Sequence, residues 1–98
     1  MNETPVNLFP AQREDLRIVV LGYLAARNTA AFDSEQIAQV LRRRRGVDFP
    51  FTPADVESAL TFLDSQGWTT LQESPFGTSR ARIATARGVL EAERRGLC

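Results

Sequence analysis

Apolar residues recur at helical spacing in three segments of the first two thirds of the chain. In each segment they follow one another at intervals of three and four, which places them on one side of a helix. The spacing predicts helices over about 12–27, 34–45 and 53–65. The expected core positions, which include one from a later strand, are Leu16, Val19, Val20, Leu24, Ile37, Val40, Leu41, Val56, Leu60, Leu63 and Ile83.

Helix-end signals bracket the second and third segments. Asp33 with Gln36 three residues later has the spacing of a capping box. Thr52 followed by Pro53 predicts a helix start, because threonine is a good N-cap and proline suits the first helical position. Gly46 is the expected stop of the second helix.

The period changes after the third segment. Residues 68–72 are rich in β-branched and aromatic side chains, 74–78 have the composition of a turn, and 79–85 alternate. This pattern predicts a β-hairpin between about 68 and 84. A last amphipathic stretch predicts a helix over 86–95, with Thr85 as its cap.

The order of these elements predicts a mainly α protein with a small β-hairpin, in the α+β class. Three helices would form the core, the hairpin a wing beside them, and the last helix the C-terminal element. This is the layout of a winged helix-turn-helix domain. We expect an irregular lead-in over residues 1–10 and a single domain over 11–98.

The C-terminal half adds a resemblance to known proteins. The stretch LTFLDSQGWTTLQESPFGTSRARIATARGVLEAERRG has two leucines before a Gln-Gly-Trp break, then the wing, then Thr-x-x-Gly opening the last helix. It resembles the corresponding part of many small winged-helix proteins. With the helical N-terminal half, residues 14–96 are similar to a family of small uncharacterised proteins of Mu-like bacteriophages and prophages. The resemblance implies a winged-helix fold and, by analogy of fold, DNA binding in regulation.

Composition narrows the chemistry. The chain has 98 residues, twelve acids and twelve bases, and no histidine; every base is arginine and the one cysteine is Cys98. These counts argue against a metal site, a thiol enzyme and a histidine-dependent hydrolase. We therefore expect no enzyme activity, no cofactor and no metal. No apolar run approaches a membrane span, and residues 1–10 lack the pattern of a secretion signal, so we expect a cytoplasmic protein without a membrane partner.

Arginines and hydroxyls supply the candidate contacts to double-stranded DNA. Four consecutive arginines end the second helix, and guanidinium groups suit phosphate oxygens. Two more alternate with Ala81 and Ile83, so we expect them on the outer face of the second strand. The alternative is that the first group is a solvent-exposed helix end, favoured by the helix dipole, and that the second group prevents pairing at a strand edge. The candidate residues are Arg42, Arg43, Arg44, Arg45, Ser58, Thr61, Arg80 and Arg82.

The third helix is poorly suited to DNA, because its side chains outside the core include three acids and no arginine. Two hypotheses therefore stay open. The first is a small phage-type transcriptional regulator that binds duplex DNA, with a homodimer as one option. The alternative is a phage-encoded module that binds a host protein through this acidic helix. The alternative surface comprises Asp55, Glu57, Phe62, Asp64 and Phe76.

Overall fold

The computed structural model describes residues 8–72 and 80–97, and within them the chain forms four helices and two strands. The predicted class, mainly helical with a small antiparallel hairpin, is confirmed. No helix in this part of the chain is long and apolar enough to cross a membrane. The elements are α1 (Pro10–Ala26), α2 (Ser34–Arg44), α3 (Pro53–Ser65), β1 (Thr69–Leu71), β2 (Arg82–Ala84) and α4 (Ala86–Arg94).

The start of α1 differs from the prediction. The helix begins at Pro10, inside the expected lead-in, because proline is tolerated at the first helical position, where no backbone donor is needed. The backbone N–H of Phe9 donates to the side chain of Gln12 at 2.9 Å, which caps the helix. The remainder of the expected lead-in, residues 1–7, lies outside the described residues.

Side-chain caps fix the starts of the other helices, as the sequence predicted. Asp33 accepts a hydrogen bond from the backbone N–H of Gln36 at 2.8 Å, and Gln36 accepts one from Asp33 in return. At α4 the hydroxyl of Thr85 accepts from the backbone N–H of Gly88 at 3.0 Å. Each of these contacts satisfies a donor that the first helical turn leaves without a partner.

The end of α2 is closed one residue earlier than expected. Arg45, rather than Gly46, adopts the left-handed conformation, with φ 52°. The backbone N–H of Gly46 then donates to the carbonyl of Leu41 at 2.9 Å and completes the cap. Space at Gly46 is tight: a Cβ there would lie 3.1 Å from the side chain of Leu41 and 3.2 Å from that of Val19.

The core forms where α1 and α2 pack against α3 and where α4 packs against α1. Most of the predicted core positions are buried. Val19, Val40 and Ile83 are only half-buried. The predicted positions that are buried are Leu16, Val20, Leu24, Ile37, Leu41, Val56, Leu60 and Leu63.

Strand β2 lies between two neighbours. On one side it pairs antiparallel with β1, with Leu71 opposite Arg82. On the other it exchanges two backbone hydrogen bonds with Phe32, which precedes α2, at 2.8 and 2.9 Å. The predicted phase of β2 is wrong: Arg82 and Ala84 are buried, whereas Ile83 is half-buried. Successive strand residues point to opposite faces, so the inward turn of Arg82 sends Ile83 to the other face.

Gly88 is where α4 crosses the start of β1. A Cβ at this position would lie 1.9 Å from the carbonyl oxygen of Trp68. We expect Gly88→Ala to lower the free energy of unfolding by about 1–3 kcal/mol, because overpacking outweighs a helix-propensity gain of at most about 1 kcal/mol. Urea unfolding measures this change.

The matched control for that substitution is Gly22→Ala in α1. There a Cβ would meet Leu97 at 3.4 Å, an ordinary contact. This variant should keep or slightly raise stability, by up to about 1 kcal/mol. Equal effects at the two positions would contradict the close approach at Gly88.

Candidate functional site

A buried arginine joins β2 to α3. The guanidinium of Arg82 lies 2.8 Å from a carboxylate oxygen of Glu57 and 3.1 Å from one of Asp64, and its side chain is only 4% exposed. Its Nε also donates to Asp64, at 3.2 Å. The second oxygen of Asp64 accepts from the hydroxyl of Thr69 at 2.6 Å. Both acids of α3 that face the sheet are therefore engaged within the chain.

Arg80 extends this cluster to the surface. Its guanidinium lies 2.9 Å from Glu57, while its side chain stays 70% exposed. Burial raises the pKa of Glu57, but hydrogen bonds from Arg80 and Arg82, together with their positive charges, outweigh it and hold that pKa below its ordinary value. Glu57 is thus an ionised group shared by two arginines.

The prediction that Arg82 lies on an outer face is therefore wrong. Its guanidinium is enclosed by the two α3 carboxylates and cannot reach a phosphate in this arrangement. Arg80 does reach the surface, as predicted, but as the partner of Glu57. The apolar pattern alone could not show that Arg82, and not Ile83, points inward. The inward residue of β2 depends on which α3 side chains lie below the strand.

The acidic surface expected on α3 is not assembled. Asp55 is buried at 6% exposure and accepts from the backbone N–H of Thr52 at 2.8 Å, where it completes the cap of α3. Glu57 and Asp64 are engaged by the two arginines of the β2 side. Asp55 is the third residue of α3, where an acidic side chain can complete the helix cap. Its place in the sequence therefore contains the signal for this role.

The outer side of α3 is polar and uncharged. Ser58 and Thr61 are exposed there, and the hydroxyl of Thr61 donates to the carbonyl of Glu57 at 3.0 Å. Phe62 is half-buried beneath the guanidinium of Arg17, which lies 3.9 Å from the ring centroid. The remaining candidate, Phe76 in the predicted wing turn, lies outside the described residues.

The four arginines at the end of α2 point to different neighbours. The guanidinium of Arg42 donates to the carbonyl of Phe51 at 2.9 Å, one residue before the N-cap of α3. That of Arg44 lies 5.8 Å from the centroid of the Tyr23 ring in α1. Arg43 and Arg45 are exposed. Within the described residues, no carboxylate forms an ion pair with Arg43, Arg44 or Arg45, in contrast to the two β2-side arginines.

One cation near this group was not singled out in the sequence. Arg27, which caps the end of α1, lies over the same Tyr23 ring as Arg44, at 4.2 Å from its centroid. The signal that could have found it is spacing, since residues four apart on a helix are neighbours. The basic surface therefore extends from α2 to the end of α1.

Comparison with known proteins adds no relative. No family model matches the chain, and neither curated proteins nor solved structures give a significant match. Within residues 8–72 and 80–97, no group of three or more acids, histidines or cysteines is placed to hold a metal ion.

The difference between the two β2-side arginines can be measured. Arg82→Ala removes the only described cation that contacts both Glu57 and Asp64, and it should lower the free energy of unfolding by about 3 kcal/mol, the lower end of the range for broken buried ion pairs, because the carboxylates left behind are partly exposed. Arg80→Ala removes an exposed partner of the same Glu57, so its cost should stay below about 1 kcal/mol. Chemical denaturation of both variants tests this ranking, and equal losses would contradict it.

The lowered pKa of Glu57 gives a pH dependence. A depressed folded-state pKa contributes stability above the ordinary value of 4.5, and this contribution is lost as the pH falls through the folded value. Glu57→Gln should therefore be clearly less stable than the wild type at neutral pH, and the gap should shrink in acid below that value. Urea unfolding at neutral pH and at a pH below the folded-state pKa of Glu57 measures this difference in stability. A gap that does not change would show that the charge of Glu57 contributes nothing.

Proposed function

We propose that this chain is a winged helix-turn-helix domain that binds double-stranded DNA and acts as a small transcriptional regulator. The order of elements supports the fold: Phe32 pairs with β2 between α1 and α2, and the β1–β2 pair follows α3 directly. In this assignment α3 is the recognition helix and the β1–β2 pair carries the wing. The similarity to proteins of Mu-like phages remains a prediction from the sequence.

The neutralisation of the α3 acids is the observation that carries the proposal. Carboxylates on an exposed recognition helix would repel the phosphates of a duplex. Here Glu57 and Asp64 turn sideways onto Arg82, and Asp55 is buried in the helix cap. The side of α3 that bears Ser58 and Thr61 can therefore approach DNA without a net negative charge.

Two cations flank the first half of this helix. Arg42 contacts the carbonyl of Phe51 immediately before α3 begins, and Arg80 contacts Glu57, the fifth residue of the helix. Arg43 and Arg45 add exposed charge at the adjoining end of α2. A major groove about 12 Å wide admits an α-helix, and the phosphates on its two sides would lie near these guanidinium groups.

The same surface predicts weak sequence discrimination. Ser58 and Thr61 are short, and neither forms the two-point contact with a base edge that Arg, Asn or Gln provides. Phosphate contacts fix the position of a protein on the duplex but carry no direct sequence information. We therefore propose that most of the binding free energy comes from counterion release at the arginines.

The positions of the named acids do not favour the protein-binding alternative. Its three acids are a buried cap residue and two partners of arginine, so α3 does not present them together to a basic protein. Binding through Glu57 or Asp64 would compete with the contacts of Arg80 and Arg82. We therefore do not propose this second function.

The salt dependence of DNA binding tests the proposal. Fluorescence anisotropy of a labelled random-sequence duplex should show binding that weakens as salt increases. Each phosphate contact contributes about 0.9 to the negative slope of log affinity against log salt. Replacing Arg43 and Arg45 together by serine should therefore reduce that slope by up to about 2 units, and Arg80→Ser by up to about 1 unit.

The matched control is the double replacement of Arg94 and Arg95 by serine. It also removes two positive charges, but from α4, where both arginines pair with Glu91. Its slope should stay close to that of the wild type. Absence of binding at micromolar protein in low salt would overturn the proposal, and equal slope changes in the two double variants would reject the assigned contacts.

A further inference from the structure

The Tyr23 ring gathers two arginines from different helices. Tyr23 lies in the last turn of α1, with the guanidinium carbon of Arg27 at 4.2 Å and that of Arg44 at 5.8 Å from the ring centroid. Phe32 contacts the ring edge-on, at 5.2 Å between centroids, and fixes its orientation. The ends of α1 and α2 thus bring their charges to one aromatic platform.

These two cations have no carboxylate partner among the described residues. Two like charges held at one ring repel each other, and a bound anion would relieve that repulsion. A guanidinium near an aromatic ring keeps N–H donors that can match phosphate oxygens. Arg27 places one of its donors on the carbonyl of Tyr23, at 3.4 Å, which further restricts its position.

Arg44 points away from α3, so the Arg27–Arg44 pair lies on a different side of α2 from Arg42. Arg42 and Arg44 are two residues apart, which is about 200° around a helix with 3.6 residues per turn. The contacts agree, because Arg42 reaches Phe51 before α3 and Arg44 reaches Tyr23 in α1. Arg43 and Arg45 are exposed at the same end of α2.

We infer that Tyr23, Arg27 and Arg44 form a phosphate clamp, a second contact with the DNA backbone on the α1 side of α2. The inference rests on the proposed function, because the ligand is a phosphate of the duplex. The arginines then form a strip from the start of α3, across the end of α2, to the end of α1. Backbone phosphates would follow this strip beyond the groove that α3 enters.

Removal of the clamp charges tests this assignment. In the full chain, the double variant Arg27→Gln with Arg44→Gln should reduce the slope of log affinity against log salt by up to about 2 units. Arg94→Gln with Arg95→Gln is the matched control and should leave the slope close to that of the wild type. Thermal unfolding of both variants checks that they remain folded.

The ring is tested without any change of charge. Tyr23→Leu removes the platform that orients both guanidinium groups and should weaken binding by up to about fivefold, which corresponds to one cation–π contact. Tyr23→Phe keeps the ring and should bind like the wild type. A role limited to folding would change the unfolding temperature of the leucine variant and leave its affinity, measured well below that temperature, unchanged.

A measurement on the wild type needs no variant. In NMR spectra of the arginine side chains, addition of a short random-sequence duplex at moderate salt should shift the Nε–Hε signals of Arg27 and Arg44, and leave those of Arg94 and Arg95 in place. Duplex binding with an unchanged slope in the clamp variant, or without these shifts, would overturn the clamp and leave the proposed function standing. If the wild type binds no duplex, both are overturned.

Discussion

The guanidinium of Arg82 holds β2 against α3, and the charge distribution of the domain depends on this contact. Two carboxylates from successive parts of one helix meet a single buried cation. The burial of such a charge is costly unless its partners are close and its donors are used. Here Glu57 and Asp64 provide acceptors, and the carbonyl of Arg80 accepts a further hydrogen bond at 3.2 Å. The pairing fixes which face of β2 points inward.

That inward face explains where the sequence was informative and where it was not. The starts of α2, α3 and α4 could be predicted because each depends on a capping residue within one turn, as at Asp33 and Thr85. The phase of β2 could not. Alternation offers two phases, and hydropathy favours the one with Ile83 inside. The observed phase is set by acids about twenty residues away in sequence, and this pairing has no local signal.

The candidate site also contains some features that the sequence predicts and others that depend on the fold. The exposure of Ser58 and Thr61 followed from helical period, and the arginine run at the end of α2 was visible directly. Helical spacing separates Arg42 from Arg44, but the groups that they contact could not be predicted, since each guanidinium meets a carbonyl or a ring from another segment. The spacing of residues within one helix cannot specify contacts of this kind.

The absence of lysine fits this use of charge. Guanidinium groups lie over the rings of Phe62, Tyr23 and Trp68, at 3.9, 4.2 and 5.7 Å from the centroids. A planar, weakly hydrated cation can cover an aromatic surface and still donate hydrogen bonds at its edge, which a compact, strongly hydrated ammonium group does less readily. Zero net charge over the whole chain is therefore compatible with a local attraction for anions: among residues 8–72 and 80–97, acids pair with the arginines at β2 and α4 and not with Arg43 or Arg45 at the end of α2. Binding by such a surface depends on where charge is left without an ion pair, and within the described residues the ends of α1 and α2 are places of this kind.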